Sequence, residues 1–325
     1  MDTGKKPKVY VTRRIPQEGL DLLSKDCEVS MWDSDDAVPK EELLKGVVGA
    51  SGLFCLLSDR IEVGVLDAAG PQLKVISTLS VGFDHIDVNE CKKRGIRIGY
   101  TPDVLTDATA ELTVGLLLTT SRRLAEGVAN VKNGGWGTWK PMWLTGPGLL
   151  NSTVGIVGLG RIGMGVAQRL KPFGVKRFLY SGNREKPEAA SLPAEFVPFE
   201  TLIRESGFVV VCCALTPSTK GLFNKQVFEK MSSNAIFINI SRGAVVNQDD
   251  LYDALTTGQI RAAGLDVTTP EPLPTDSPLL KLSNCVVFPH IGSAAEETRI
   301  AMTVLASRNM LAGLIGEEMP EEVKL

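Results

Sequence analysis

The sequence predicts an α/β protein whose parallel sheets are covered by helices. Runs rich in β-branched residues alternate with helix-like runs along the whole chain, which is typical of this class. The strand-like runs between 153 and 289 are almost wholly apolar, as expected of central parallel strands buried on both faces. A chain of 325 residues is longer than a single core usually fills, so two domains are expected.

The individual elements follow from these runs. Strands are predicted at 8–12, 52–57, 73–79, 96–100, 153–158, 175–180, 207–215, 235–240, 262–267 and 285–289. The segment 106–125 begins with a capping-type Thr106 and stays apolar for several turns, which predicts a long and largely buried helix. A second long helix, with one face buried, is predicted over 294–316.

The order of these elements suggests a discontinuous first domain. A glycine-rich strand-to-helix pattern lies midway along the chain, not at its beginning. We therefore expect one domain from residues 1–105 plus 296–325, and a second domain from residues 106–295. The last helix would return the chain to the first domain.

Composition limits the class of partner. The net charge is −3 and no basic block is present, so neither nucleic acid nor an anionic membrane surface is expected as a partner. A small-molecule ligand is favoured. The six cysteines lack paired metal-ligand spacing, and four lie in or beside apolar runs. We expect buried free thiols, no metal site and a cytoplasmic protein.

The pattern Gly158-x-Gly160-x-x-Gly163 follows an apolar strand and opens an amphipathic helix. In a dinucleotide-binding fold the first glycine allows a tight turn, the second allows the backbone to approach a pyrophosphate, and the third allows the helix to pack on its strand. Arg161 and Ile162 belong to the same predicted cofactor loop. The alternative is a simple strand-to-helix turn, but the complete strand–helix–strand context favours cofactor binding.

The end of the next strand indicates which dinucleotide is bound. NAD-binding folds hold the ribose hydroxyls with a carboxylate at this point, and that carboxylate would repel the 2′-phosphate of NADP. Here the strand is followed by Ser181, Gly182, Asn183 and Arg184, which offer donors and one positive charge. NADP(H) is therefore the preferred cofactor, with NAD(H) possible. Alternatively, Arg184 is only a solvated side chain beside Glu185.

Only two histidines are available for acid–base work, His85 and His290. His290 follows an apolar run and Pro289 at a predicted strand end, where a ligand crevice is expected. A carboxylate hydrogen-bonded to His290 would stabilise the imidazolium and keep it a proton donor, and Glu271 is the candidate in a proline-framed loop. His85 lies between two aspartates and is interpreted as equally well structural.

A guanidinium can bind a carboxylate with two hydrogen bonds and polarise the adjacent carbonyl. Arg242 follows the apolar run 235–240 and is the candidate for this role. Asp266 lies at another predicted strand end. Taken singly, Arg242 could instead form an ion pair beside a helix, and Glu271 could be a solvated loop acid.

Together these motifs resemble a known family. The stretches "VGIVGLGRIG" (154–163), "INISRG" (238–243), "GLDVTTPEP" (264–272) and "PHIGSA" (289–294) resemble, in this order, the signature set of the D-2-hydroxyacid dehydrogenases. Further stretches, including "TLSVGFDHID" and "GGWGTWKPMWL", resemble the glyoxylate/hydroxypyruvate reductases within that family. The resemblance extends from about residue 8 to the C-terminus.

The resemblance implies two Rossmann/flavodoxin-like domains with parallel sheets, and an active site in the cleft between them. Residues 1–105 plus 296–325 would form the substrate-binding domain, and residues 106–295 the dinucleotide-binding domain. It implies that Arg242 binds the substrate carboxylate while Glu271 and His290 deliver a proton. The other residues that it implies for substrate binding are Leu57, Val81, Gly82, Trp139, Gly292 and Ser293. Those that it implies for the cofactor, in addition to the glycine loop and the strand end at 181–184, are Thr106, Ile240, Asp266 and Gly292.

The implied activity is NADPH-dependent reduction of small 2-oxo acids: glyoxylate to glycolate, hydroxypyruvate to D-glycerate, with D-glycerate oxidation in reverse. The implied assembly is a homodimer through the cofactor domain. Trp136, Trp139 and Trp143 would suit that interface, unless they pack within the chain. The alternatives are another dehydrogenase of the family, acting on phosphoglycerate or formate, and a dinucleotide-sensing binding protein.

Overall fold

The computed structural model describes residues 6–325. The chain divides into two compact units. The first unit comprises the residues up to Leu105 together with Ala294–Leu325, and the second unit comprises Thr106–Ser293. Which unit binds the substrate and which binds the dinucleotide stays a prediction.

The strands are short, each three to five residues long. In chain order they are β1 Lys8–Val11, β2 Glu28–Met31, β3 Gly52–Cys55, β4 Val75–Thr78, β5 Arg97–Gly99, β6 Thr153–Val157, β7 Arg177–Ser181, β8 Ala194–Phe196, β9 Phe208–Val211, β10 Ile236–Asn239, β11 Ala262–Leu265 and β12 Cys285–Val287. The helices are α1 Gln17–Asp26, α2 Lys40–Gly46, α3 Val63–Ala69, α4 Val88–Arg94, α5 Thr106–Ser121, α6 Leu124–Lys132, α7 Arg161–Leu170, α8 Phe199–Glu205, α9 Lys225–Phe228, α10 Gln248–Thr256 and α11 Glu296–Ile315.

The first unit is built on a five-stranded parallel sheet in the order β2-β1-β3-β4-β5. The central strands β3 and β4 are buried along their whole length. Helix α11 packs on this sheet, and its buried Asn309 accepts a hydrogen bond from the Glu321 N–H and donates one to the Tyr100 carbonyl, at 2.9 Å each. These bonds fasten the C-terminal segment to the end of β5.

The second unit is built on a seven-stranded parallel sheet in the order β12-β11-β10-β9-β6-β7-β8. One face is covered by α5 and α7, and the other by α8, α9 and α10, with an apolar core on each side. After β6 the chain adds β7 and β8 on one side, then crosses to place β9 on the other side of β6. Ligands of open parallel sheets bind at such a reversal of strand order, beside the carboxyl ends of the strands.

The predicted fold class is confirmed, since both sheets are parallel and covered by helices. Each predicted strand overlaps an observed strand, but β2 and β8 were not predicted. Both of these strands lie at a sheet edge, and in both of them polar and apolar residues alternate. Among residues 6–325, no helix combines the length and hydrophobicity of a membrane span.

The prediction of one helix over 106–125 was wrong at its C-terminal end. Helix α5 ends at Ser121, because Arg123 adopts a left-handed conformation (φ 55°) that an α-helix cannot continue. A separate helix, α6, starts at Leu124. None of the side chains of α6 is buried within this chain.

Candidate active site

The glycine loop joins β6 to α7 as predicted. Gly158 has a φ of +93°, and a Cβ there would lie 2.8 Å from the backbone of Cys213, which follows β9. A tight turn this close to the neighbouring strand of the sheet requires glycine. Gly163 lies so close to the Gly158 carbonyl that a Cβ would be 2.6 Å from it. This close approach brings α7 onto β6.

The middle glycine leaves room for a ligand. A Cβ on Gly160 would meet no protein atom within 4 Å, and Gly160 is exposed at the N-terminus of α7. The ten-residue helix α7 presents its N-terminal N–H groups and positive dipole end at this point. Arg161 is exposed and Ile162 half-buried in the first turn, and the half-buried Thr106 begins the neighbouring helix α5. The loop therefore fits a dinucleotide pyrophosphate.

The strand that follows ends where the ribose is expected. Ser181 is the buried last residue of β7, and its carbonyl accepts a hydrogen bond from the Gly158 N–H at 2.9 Å. Asn183 and Arg184 are exposed just beyond it. The N–H of Lys186 donates to the Tyr180 hydroxyl at 2.9 Å, so the 182–186 segment folds back over the end of the strand.

Arg242 lies in the loop after β10 and is half-buried. Asn239, fully buried at the end of β10, donates from its side chain to the Arg242 carbonyl at 3.0 Å. The same side chain accepts from the N–H and hydroxyl of Ser241. Ile240, between them, is buried. Asn239 thus fixes the backbone from which the guanidinium extends.

Gly243, next to Arg242, brings this loop against the loop after β11. A Cβ on Gly243 would lie 1.9 Å from the Thr268 carbonyl oxygen, so no larger residue fits without displacement. Gln248 at the start of α10 spans the same two loops, donating to the Thr269 carbonyl at 2.6 Å and accepting from the Thr269 N–H at 2.7 Å. The loop that carries Arg242 and the loop that carries Glu271 are therefore held together by the close approach at Gly243 and by the side chain of Gln248.

Glu271 and His290 form a hydrogen-bonded pair. The Glu271 Oε2 lies 2.8 Å from the Nδ1 of His290, and the other oxygen accepts from the Thr268 N–H at 2.9 Å. Since the carboxylate accepts, Nδ1 carries a hydrogen, and Nε2 is the nitrogen left for a substrate. The two side chains are 31% and 25% exposed, so a ligand can reach them.

Electrostatics keep Glu271 ionised. Burial acts to raise the pKa of this carboxyl group, but the hydrogen bond and charge of His290, the Thr268 N–H and the positive charge of Arg242 outweigh burial. The pKa of Glu271 consequently lies below its usual value.

Asp266 anchors the turn that carries His290. It is almost completely buried, and its two carboxylate oxygens accept from the N–H groups of Ile291 and Gly292 at 2.8 Å each. His290 has a φ of +54°, an unfavourable left-handed conformation that costs about 1–3 kcal/mol and must be held by its surroundings. Burial raises the pKa of Asp266, although the two N–H groups and the charge of His290 oppose that shift.

The other predicted site residues of the second unit lie near this turn or on an exposed surface segment. Gly292 is buried against Asp266, and Ser293 follows it half-buried. Trp139 is 77% exposed and Trp136 66% exposed. The alternative that these two indoles pack within the chain was wrong, and only Trp143 is half-buried.

In the first unit, the predicted substrate residues follow two neighbouring strands. Leu57 comes after β3, and Val81 and Gly82 come after β4; all three are half-buried. Because β3 and β4 are paired and parallel, both loops leave the same edge of the sheet. His85, the second histidine, is buried in this unit at 5% exposure.

Sequence reasoning missed three residues that hold the site in place: Asn239, Gln248 and Thr268. Each acts through contacts with backbone groups, and those contacts depend on loop conformations that have no sequence periodicity. One signal was available, since Asn239 is a polar residue at the end of the wholly apolar run 235–238. An amide in that position is buried at a cost unless it is hydrogen-bonded.

Comparison with known proteins identifies the family. Residues 114–292 match the family described as D-isomer specific 2-hydroxyacid dehydrogenase, NAD binding domain. The chain is 64% identical over 321 residues to human glyoxylate reductase/hydroxypyruvate reductase, covering 98% of each chain.

Two solved structures are similar to this chain over almost its full length. The TT0316 protein from Thermus thermophilus is 45% identical with a TM-score of 0.91, covering 98% of this chain and 100% of that one. An NADPH-dependent glyoxylate/hydroxypyruvate reductase from Sinorhizobium meliloti, in complex with NADP and malonate, is 30% identical with a TM-score of 0.85, covering 98% and 97%.

The fold, the glycine loop and these matches define an oxidoreductase with a nicotinamide-dinucleotide-binding domain. The chain belongs to the D-isomer specific 2-hydroxyacid dehydrogenase family.

The lowered pKa of Glu271 predicts how a Glu271→Gln variant depends on pH. A carboxyl group whose pKa is lower when folded contributes stability that is complete above its unfolded value, about 4.3, and is lost as the pH falls through the folded value. The wild type should therefore keep its stability advantage over Glu271→Gln down to about pH 4.3, and lose it below that value as the pH falls through the folded pKa. Thermal unfolding at a series of pH values measures the difference.

The exposed Glu188 in the same unit provides a control, because Glu188→Gln removes a carboxylate outside this pair. A wild-type advantage over Glu271→Gln that stays constant down to pH about 3 would contradict the assigned electrostatics.

Proposed function

We propose that this protein is an NADPH-dependent reductase of small 2-oxo acids, converting glyoxylate to glycolate and hydroxypyruvate to D-glycerate, with D-glycerate oxidation as the reverse reaction. The observation that carries the proposal is the Glu271–His290 pair, 2.8 Å apart, whose carboxylate is also stabilised by the charge of Arg242. The 64% identity to the human glyoxylate reductase/hydroxypyruvate reductase supports the choice of substrates.

In this proposal the chain first fixes the acid group of the substrate. Arg242 binds the carboxylate, since a guanidinium matches its geometry with two parallel hydrogen bonds. We assign the N–H groups of Val81 and Gly82 to the same carboxylate. Leu57, Trp139, Gly292 and Ser293 are assigned to the walls around the substrate.

The bound nicotinamide supplies a hydride to the carbonyl carbon. His290 donates the proton to the carbonyl oxygen from Nε2, because its Nδ1 hydrogen is engaged by Glu271. Glu271 holds the ring orientation and stabilises the imidazolium before the transfer. We assign Ile240 and Asp266 to the nicotinamide end of the cofactor, and Thr106 with the loop 158–163 to its phosphates.

A His290→Ala variant tests the activity. The proposal expects wild-type turnover of NADPH with either acid, and a decrease in kcat of about 10²–10⁴-fold in the variant because the proton donor is removed. Steady-state kinetics with glyoxylate and hydroxypyruvate measure the turnover. NADPH binding by fluorescence checks that His290→Ala retains its folded cofactor domain.

Near-wild-type turnover by folded His290→Ala would rule out the assigned acid. A wild type that binds NADPH but reduces neither acid would instead favour the dinucleotide-sensing protein or another dehydrogenase of the family.

We also propose that NADP(H) is preferred over NAD(H). The end of β7 carries Ser181, Asn183 and Arg184 where an NAD-selective carboxylate would stand, so nothing in this segment up to Arg184 repels a 2′-phosphate. Arg184 is exposed and supplies a positive charge, and Asn183 supplies a side-chain amide. The Sinorhizobium reductase, whose structure contains NADP, supports this preference.

An Arg184→Ala variant tests the cofactor preference. We expect its KM for NADPH to rise about tenfold, because a charge-assisted hydrogen bond to phosphate is lost, while its KM for NADH stays the same. Arg204→Ala is the matched control, since Arg204 is an exposed arginine of the same unit paired with Glu200. An unchanged NADPH KM in Arg184→Ala would assign the phosphate contact to other groups.

The exposed apolar side chains of the second unit support a homodimer through this unit. In α6 and the segment after it, Val128, Val131, Trp136, Trp139 and Met142 are all more than half exposed. Several large apolar side chains exposed within one short segment are typical of a protein–protein contact site, and tryptophan contributes strongly to such contacts.

Substitution of Trp139 by alanine should weaken dimerisation or raise the substrate KM, because the largest exposed apolar group of the segment is removed. Sedimentation velocity over a range of concentrations and steady-state kinetics measure the two effects. Ile315→Ala, which removes an exposed apolar side chain from the first unit, is the control. Unchanged sedimentation and kinetics in Trp139→Ala would exclude the segment from both roles.

We also propose that the protein is located in the cytoplasm. All six cysteines are free, and Cys27, Cys55 and Cys91 are buried. Free thiols persist in reducing compartments. Fractionation of cells that express the chain would test this location, and recovery in a secreted or luminal fraction would contradict it.

A further inference from the structure

We propose that His85, Thr78 and Ser80 are positioning residues that form a buried hydrogen-bond relay and fix the backbone at Val81 and Gly82. This inference rests on the proposed function, which assigns the N–H groups of those two residues to the substrate carboxylate. The relay lies wholly within the first unit. It also gives a role to the second histidine, which the assigned chemistry does not use.

The relay is a continuous series of short contacts. The His85 Nε2 lies 3.0 Å from the Thr78 hydroxyl, which lies 2.8 Å from the Ser80 hydroxyl. The Ser80 hydroxyl donates to the Gly82 carbonyl at 2.7 Å. All three side chains belong to buried residues, with exposures of 0–5%. Water therefore does not replace these bonds readily when one is lost.

The carbonyl at one end determines the direction of every bond. A carbonyl only accepts, so the single hydroxyl hydrogen of Ser80 points to Gly82. Ser80 must then accept from Thr78, and the Thr78 oxygen must accept from the Nε2–H of His85. The relay thus assigns a hydrogen to Nε2, and it orients both hydroxyl groups in one direction.

The backbone around the relay is held at several further points. The His85 carbonyl accepts from the Ile61 N–H at 2.9 Å, and the Ile61 carbonyl accepts from the Asp87 N–H at 2.9 Å. These bonds join the loop after β3, which contains Leu57, to the loop after β4. The Ser80 carbonyl accepts from the Thr101 N–H at 2.9 Å. Ser80 is therefore fixed through its backbone as well as its side chain.

Fixing Gly82 matters because its backbone has no side chain to restrain it. Glycine samples more conformations than any other residue. If the peptide at the half-buried Gly82 reoriented, the loop would bind the acid group of the substrate less tightly. The Ser80 hydroxyl holds the peptide that joins Gly82 to Phe83. We conclude that the relay keeps the loop in the conformation that binds the acid group.

Two variants break the relay at different points. Ser80→Ala removes the bond to Gly82, and Thr78→Val removes the bridging hydroxyl while keeping shape and volume. Ser77→Ala is the matched control, because Ser77 is a fully buried serine of the same strand whose hydroxyl donates to the Ala306 carbonyl at 2.8 Å, outside the relay. Thermal unfolding of each variant shows how much stability each loses.

We expect Ser80→Ala and Thr78→Val each to raise the KM for the 2-oxo acid about five- to tenfold, the effect of one hydrogen bond. The kcat and the KM for NADPH should stay within about twofold of wild type, since only ground-state binding of the acid is weakened. The double variant should be no worse than Ser80→Ala, because both changes interrupt one relay. Ser77→Ala should leave the KM of the acid unchanged.

An unchanged KM in both relay variants would overturn the inference, as would an equal rise in Ser77→Ala or in the KM for NADPH. If the KM increases of the two single variants multiply in the double variant, the two hydrogen bonds act independently and the relay is overturned. The proposed function fails separately, through absence of wild-type turnover with glyoxylate and hydroxypyruvate. If the wild type reduces a different 2-oxo acid, the same comparison with that acid decides on the relay.

Discussion

The buried carboxylate of Asp266 is the interaction on which the candidate active site depends. It stands at the end of β11 and accepts both N–H groups that follow His290, one on each oxygen. This double acceptor holds the backbone of the turn and so compensates for the strain of a left-handed histidine. Burial raises the pKa of Asp266, because a charged carboxylate is costly to bury. The two backbone bonds and the charge of His290 reduce this cost. The position of His290, and with it the contact to Glu271, follows from this anchor.

Much of the fold could be predicted because its signals are local. Apolar runs of four to six residues mark the buried strands, and the three glycines of the β6–α7 loop have the turn, the open approach and the close packing that their spacing predicts. The edge strands β2 and β8 could not be found in this way, since strands exposed along one side need no apolar run. The end of α5 was misplaced because the left-handed Arg123 carries no sequence signal such as glycine.

The sequence named the chemical groups of the site more readily than the contacts that orient them. Arg242, Glu271 and His290 could be singled out because acid–base and carboxylate chemistry require particular residue types, and His290 is one of only two histidines. Asp266 was assigned from the family resemblance to the cofactor, whereas the structure engages both its oxygens with the backbone of the His290 turn. A carboxylate has further lone pairs, so the two assignments are compatible, but the anchoring contact depends on a loop conformation that sequence spacing does not encode.

The same physical device recurs in both units, each time in a loop that follows a parallel strand. Side chains of Asp266 and Asn239 bind backbone groups in the second unit, and Asp59 does so in the first, where it accepts from the Leu56 N–H at 2.8 Å and from the Thr12 hydroxyl. Loops at strand ends are free to vary, yet reacting groups must be held within a fraction of an ångström. A buried polar side chain that binds backbone reconciles these demands, because it orders the loop without occupying the space that a ligand needs.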